Sequence, residues 1–220
     1  MDGRQWEYAA RLAGFGRRLA AEGLFFACWG NLSVRVGDSV LITPSGMDYD
    51  SLRPSDMVSI SLSGRILAGR RRPSTEMALH LAVYRARADA GAVIHTHSEA
   101  ATALAAARVP CPPLSEEMAQ VLGGGVPVAA YAPPGSIELA ANAVAALGPG
   151  PAVLLANHGV MGTGADLSGA ALVVRLVERS ARIHLLALRA GGPRELSPAE
   201  VDELRARYKG YGQKPLDGVE

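Results

Sequence analysis

Two histidines one residue apart, His95 and His97, close the apolar run that begins at Gly91. The run is rich in β-branched residues and bounded by Gly91 and Ser98, which predicts a buried strand. Strand side chains alternate between faces, so imidazoles at positions 95 and 97 point the same way. A third histidine, His158, follows a second buried run at 152–156 and precedes Gly159, which lets the backbone turn away beneath it. Taken singly, each of these histidines reads as a packed core residue. Taken together, three neutral imidazoles with one coordination position left open form the ligand set of a catalytic zinc. Glu76 stands after Ser74 and Thr75, where Pro73 opens a predicted helix. Alone it would be a partner for the helix dipole; beside a metal it is the best candidate for a general base. His80, four residues on, shares its helical face and reads as a packed or supporting residue. His184, inside a long helix, reads as structural.

The same helix start suggests an anion site, because helix N-termini present N–H groups and a favourable dipole, and Ser74 and Thr75 add hydroxyl donors. Two turns of small residues, Gly30-Asn31 and Ser45-Gly46, could bring further backbone N–H groups to the same oxyanion. Each is an ordinary turn by itself. With a metal beside them they suggest a phosphate pocket that uses neither lysine nor arginine.

To hold such groups the chain needs a rigid frame. The spacing predicts a first helix at 4–22, then hairpins joining 33–36 to 40–43 and 57–60 to 65–67. A helix follows from Pro73 to about 89, with its N-cap at the hydroxyls, and then the histidine strand. Further helices are expected at 98–108, 115–122, 136–147, 166–189 and 197–208, with strands at 126–131, 152–156 and 160–163. Three glycines at 123–125 precede a strand rather than a helix and so do not form a dinucleotide fingerprint. Interleaved strands and helices predict a single α/β domain over 1–220, a mixed sheet with helices on both faces, and a mobile polar tail at 209–220.

The bulk properties narrow the partners. Twenty-two basic against 21 acidic side chains leave a net charge of +1, so no global field argues for nucleic acid. Cys28 and Cys111 lack metal or redox spacing and suit a reducing compartment. No signal-like or membrane-spanning apolar run is present. The expectation is a cytoplasmic protein acting on a small molecule.

Six motifs, in order, carry a resemblance. They are Gly30-Asn31-Leu32-Ser33, Thr43-Pro44-Ser45-Gly46, Pro73-Ser74-Thr75-Glu76, His95-Thr96-His97-Ser98, Tyr131-Ala132-Pro133-Pro134-Gly135 and Leu155-Ala156-Asn157-His158-Gly159. Over about residues 4–212 the chain resembles the class II aldolases of the L-fuculose-phosphate aldolase and ribulose-phosphate 4-epimerase family. That resemblance implies a three-layer α/β/α fold with a largely antiparallel mixed sheet, and a homotetramer with sites at subunit interfaces. It implies Zn2+, or another divalent ion such as Mn2+ or Co2+, on His95, His97 and His158, with Glu76 as fourth ligand and proton carrier. It places a substrate phosphate on Gly30, Asn31, Ser45, Gly46, Ser74 and Thr75. Tyr131 resembles the tyrosine that protonates the aldehyde oxygen from a neighbouring subunit, and Tyr211 the tyrosine that covers the site. The implied reaction is retro-aldol cleavage of a ketose 1-phosphate to dihydroxyacetone phosphate and an aldehyde. The same scaffold also hosts decarboxylases, methylthioribulose-phosphate dehydratases and non-catalytic scaffold domains. Cys28 replaces a threonine common in phosphate-binding members, and Gln120 stands near the position of an epimerase aspartate, which argues against epimerisation.

Overall fold

The computed structural model describes residues 1–208; the tail at 209–220, Tyr211 included, lies outside the described residues. The chain opens with α1 (Gly3–Ala21), whose N-terminus is closed by a reciprocal cap: Gln5 N–H donates to the Asp2 carboxylate, and the Gln5 side chain accepts from the Asp2 backbone. Strands β1 (Asn31–Val36) and β2 (Ser39–Ile42) form the first hairpin, turning through Gly37 at φ 59°. The second hairpin pairs β3 (Val58–Ser61) with β4 (Ile66–Ala68). Next come α2 (Met77–Ala86), β5 (Ala92–Thr96), α3 (Glu99–Ala107), α4 (Glu116–Leu122), β6 (Val128–Ala129) and α5 (Ile137–Leu147). The described residues close with β7 (Ala152–Leu155), β8 (Gly159–Gly164), α6 (Leu167–Arg189) and α7 (Pro198–Tyr208).

The eight strands make one sheet in the order β4-β3-β2-β1-β5-β8-β7-β6, with every neighbouring pair antiparallel except β6 and β7. Alternation along the strands sends side chains to two cores. Ile94 and Leu154 face a layer built from α1, α3, α4 and α6, while Val93, Val153 and Met161 face α2 and α5. Burying a leucine or isoleucine of this kind contributes about 1.5–3 kcal/mol. The result is a three-layer α/β/α architecture with β5 at the centre of the sheet.

Three local expectations are corrected. The helix expected from Pro73 begins only at Met77, because Pro73 is held extended in a bridge with Pro44 and Ser74 N–H donates to the Thr43 carbonyl. Its N-cap is therefore Glu76, not the hydroxyl residues. The strand expected at 126–131 shrinks to Val128–Ala129. Pro127 has no N–H to donate, although its carbonyl accepts from Leu154 N–H. Asn31, expected in a turn, is the first residue of β1 and stands opposite His95 in the ladder. Cys28 and Cys111 are both free.

Candidate metal centre and anion pocket

His95 is the fourth residue of β5 and wholly buried; His97 lies just beyond the strand end. His158 sits in the three-residue turn between β7 and β8, where Asn157 takes a left-handed φ of 55° and His158 N–H donates to the Leu155 carbonyl. Gly159 must be glycine: a β-carbon there would stand 2.2 Å from the Thr96 carbonyl oxygen and 3.3 Å from the His95 ring. Gly30 is fixed for a similar reason: its φ is 96°, and a β-carbon there would run into the Phe25 ring and lie 3.0 Å from the His95 carbonyl oxygen. Glu76 arrives from the N-cap of α2. Its side chain makes no cap hydrogen bond and turns instead toward the histidines.

Glu76, His95, His97 and His158 thus come together, with one ligand atom from each lying within 4.8 Å of all the others. His95 Nε2 is 2.8 Å from His97 Nε2 and 3.1 Å from Glu76 Oε2, and His158 Nε2 is 3.2 Å from Glu76 Oε1. The edges of a tetrahedron around zinc with nitrogen and oxygen ligands span about 3.3 Å, so the spacing fits. Protonation favours the same conclusion. Burial pushes His95 down to about 4, with Glu76 opposing, so its ring is neutral near pH 7. His95 Nδ1 faces only the Val160 carbonyl, 3.0 Å away, so Nδ1 carries the proton and Nε2 is bare. A bare nitrogen then faces a carboxylate oxygen with no proton between them. In addition, Glu76 Oε1 is buried with no hydrogen-bond partner among the described residues. A divalent cation at the convergence would satisfy the lone pairs that crowd there.

Burial alone would raise the Glu76 carboxyl. The neighbouring His95 and His158, the Asn31 amide and His80 outweigh it and hold the group down to about 2. Burial also pushes His97 down, and His80 down to about 3. At neutral pH Glu76 is a carboxylate beside the neutral ring of His95, which is the protonation state that binds metal.

Above this cluster lies a cavity of about 340 Å³, lined among others by Gly30, Asn31, Ser45, Gly46, Ser74, Thr75, Glu76, His97 and His158. All six residues read as an anion site therefore line the same cavity as Glu76, His97 and His158. At Ser45 the donor differs from the sequence expectation: its N–H donates to the Arg72 carbonyl, so it offers the cavity its hydroxyl rather than its amide. Ser74, expected to offer a hydroxyl, has its N–H taken by the Thr43 carbonyl. Cys28, Trp29, Pro44 and Pro134 add apolar surface to the cavity lining. Tyr131 is 55% exposed and does not line the cavity; Gln120, on α4, does not line it either.

Sequence reasoning missed the chain of buried polar groups behind Glu76. Asn31 Nδ2 donates to Glu76 Oε2 at 3.0 Å, and Asn31 Oδ1 lies 2.5 Å from His80 Nε2. His80 Nδ1 lies 2.6 Å from Ser33 Oγ, which is itself 2.8 Å from Tyr84 Oη. The alternation of Asn31 and Ser33 along one strand face, opposite Glu76, His80 and Tyr84 on one helix face, was the available signal.

Residues 10–185 match the family model described as Class II Aldolase and Adducin N-terminal domain. The chain belongs to this family. It is 38% identical over 196 residues to the 5-methylthioribulose-1-phosphate/5-deoxyribulose-1-phosphate aldolase of Rhodospirillum rubrum, an alignment covering 89% of this chain and 88% of that one. To the 5-deoxy-D-ribulose 1-phosphate aldolase of Bacillus thuringiensis it is 34% identical, over 92% of this chain and 96% of the other. Among solved structures, an L-fuculose 1-phosphate aldolase superposes with a TM-score of 0.89 at 36% identity, covering 95% of this chain and 98% of that one. Membership together with the Glu76 and histidine cluster implies an enzyme of the class II aldolase type that works with a divalent metal. No helix among the described residues is long and apolar enough to cross a membrane.

Proposed function

We propose that this protein is a zinc-dependent aldehyde-lyase that cleaves a small ketose 1-phosphate, of the L-fuculose 1-phosphate or 5-deoxy-pentulose 1-phosphate type, to dihydroxyacetone phosphate and an aldehyde. The observation that carries the reading is the placing of Glu76. Its carboxylate belongs both to the histidine cluster and to the wall of a cavity lined by hydroxyl and glycine residues. The relatives named as ketose 1-phosphate aldolases support it.

His95, His97 and His158, with Glu76, would hold the cation, which when bound supplies the Lewis acidity that draws electron density from a substrate carbonyl. The Ser45, Ser74 and Thr75 hydroxyls, the Asn31 amide and the Gly30 and Gly46 backbone would bind the phosphate and fix the sugar's orientation. Retro-aldol cleavage removes the C4 hydroxyl proton and returns one to C3 of the dihydroxyacetone phosphate half. Glu76, anionic and facing the cavity, is the carrier we assign to that proton. A second group must take the C4 hydroxyl proton in cleavage and give it back to the aldehyde oxygen in the reverse, condensation direction. Tyr131, exposed in the single chain, is suited to reach the site of a neighbouring subunit in a homotetramer. The domain is read as a single catalytic unit in the cytoplasm, and Tyr211 as its cover.

The deciding experiment is an assay of dihydroxyacetone phosphate release from a panel of ketose 1-phosphates, with zinc-loaded and chelator-treated protein. Release that depends on zinc is expected. No release from any sugar by zinc-loaded protein would move the assignment to a decarboxylase or dehydratase on this scaffold.

A further inference from the structure

The polar chain behind Glu76 has only one consistent arrangement of protons. The Glu76 carboxylate can only accept, so the Asn31 group 3.0 Å from it is the NH2 and its Oδ1 must look the other way. Oδ1 is an acceptor, so the His80 nitrogen 2.5 Å from it, Nε2, carries a proton. His80 is buried and neutral, which leaves Nδ1 bare and makes Ser33 Oγ, 2.6 Å away, its donor. The Ser33 proton is then committed, and the Tyr84 hydroxyl donates to Ser33 Oγ. Every polar side-chain atom of Asn31, Ser33 and His80 is thereby assigned, and Asn31 keeps one N–H directed away from Glu76 on a residue that also lines the cavity.

The amide of Asn31 could by itself rotate by 180°, which would set its carbonyl oxygen against the Glu76 carboxylate and turn a repulsive oxygen to an incoming anion. His80 forbids that rotation, because its Nε2–H has no other acceptor. We propose that His80 is a positioning residue for the lyase reaction: as its Nε2–H tautomer, fixed by Ser33 and Tyr84, it locks the Asn31 amide so that an N–H always faces Glu76. The inference rests on the aldolase reading for its effect on turnover, but the tautomer itself does not.

Two measurements on the full-length, zinc-loaded protein test it. The first is the 15N spectrum of the histidine rings, with His80 assigned by its loss in His80→Gln. A neutral ring protonated on Nε2 is expected; protonation on Nδ1 overturns the proposal whatever the enzyme catalyses. The second compares His80→Leu with His80→Gln. Leucine cannot hold the amide, so kcat should fall about 10- to 100-fold and KM for the phosphorylated substrate should rise, with metal stoichiometry retained. Glutamine can offer N–H to Asn31 and oxygen to Ser33, so it should restore most of the loss. Wild-type kcat in His80→Leu, or loss of its metal, overturns the proposal. If the wild type turns over no ketose 1-phosphate, the aldolase reading fails and the tautomer alone decides this one.

Discussion

Gly159 and Thr96 approach so closely, at the start of β8 and the end of β5, that a β-carbon on the first would lie 2.2 Å from the carbonyl oxygen of the second. His95 and His158 stand one residue away on either side. Gly159→Ala must push the β7–β8 turn off β5 and widen the histidine cluster. Metal affinity should fall by about 10- to 100-fold, measured by competition with a chromophoric chelator; unchanged affinity would show that the turn is free to move.

Glu76→Gln preserves the shape of the side chain and removes its charge. The variant should keep its fold and a substantial share of its metal, and lose turnover by about 10²- to 10⁴-fold. Near-wild-type turnover would remove Glu76 from the role of proton carrier.

His95→Ala deletes the member of the candidate cluster whose ring is held by a backbone carbonyl, that of Val160. The purified variant should carry far less than stoichiometric metal by elemental analysis. Full occupancy would show that the ligand set lies elsewhere.

The metal-free protein should be sensitive to acid, and the sign follows from two groups. His80 is pushed from 6.5 to about 3, so the unfolded chain binds a proton that the fold refuses, and stability falls as pH drops from about 6.5 toward 3. Glu76 is lowered from 4.5 to about 2, so its contribution is complete above 4.5 and lost as pH falls through 2. Both act in the same direction. Tm of chelator-treated protein should therefore decline between pH 7 and pH 4; a flat profile would contradict the burial of His80.

Much of the candidate cluster could be read from residue order because its three histidines sit on or beside strand ends. A period of two places His95 and His97 on one face, and a glycine after His158 marks the turn that frees it. What could not be read depends on contacts across sequence. The start of α2 moved from Pro73 to Met77 because Pro44, 29 positions earlier in the chain, holds Pro73 extended. The role of Asn31 was hidden because its partners, Glu76 and His80, lie 45 and 49 residues away. Likewise the turn at Ser45-Gly46 suggests a free Ser45 amide, yet that amide is taken by the Arg72 carbonyl of a neighbouring loop.

The strand order has a consequence for how the chain is made. β5 pairs on one side with β1, already synthesised, and on the other with β8, whose Val160 lies 65 residues beyond His95. During synthesis the N-terminal five strands can pair first, leaving β5 as an edge with its N–H and C=O groups open and His95 unshielded. β8 must then enter beside β5, and the turn bearing His158 comes with it. The histidine cluster is therefore among the last parts of the molecule to exist, and the nascent chain has no complete site with which to capture metal until the sheet has closed at its centre.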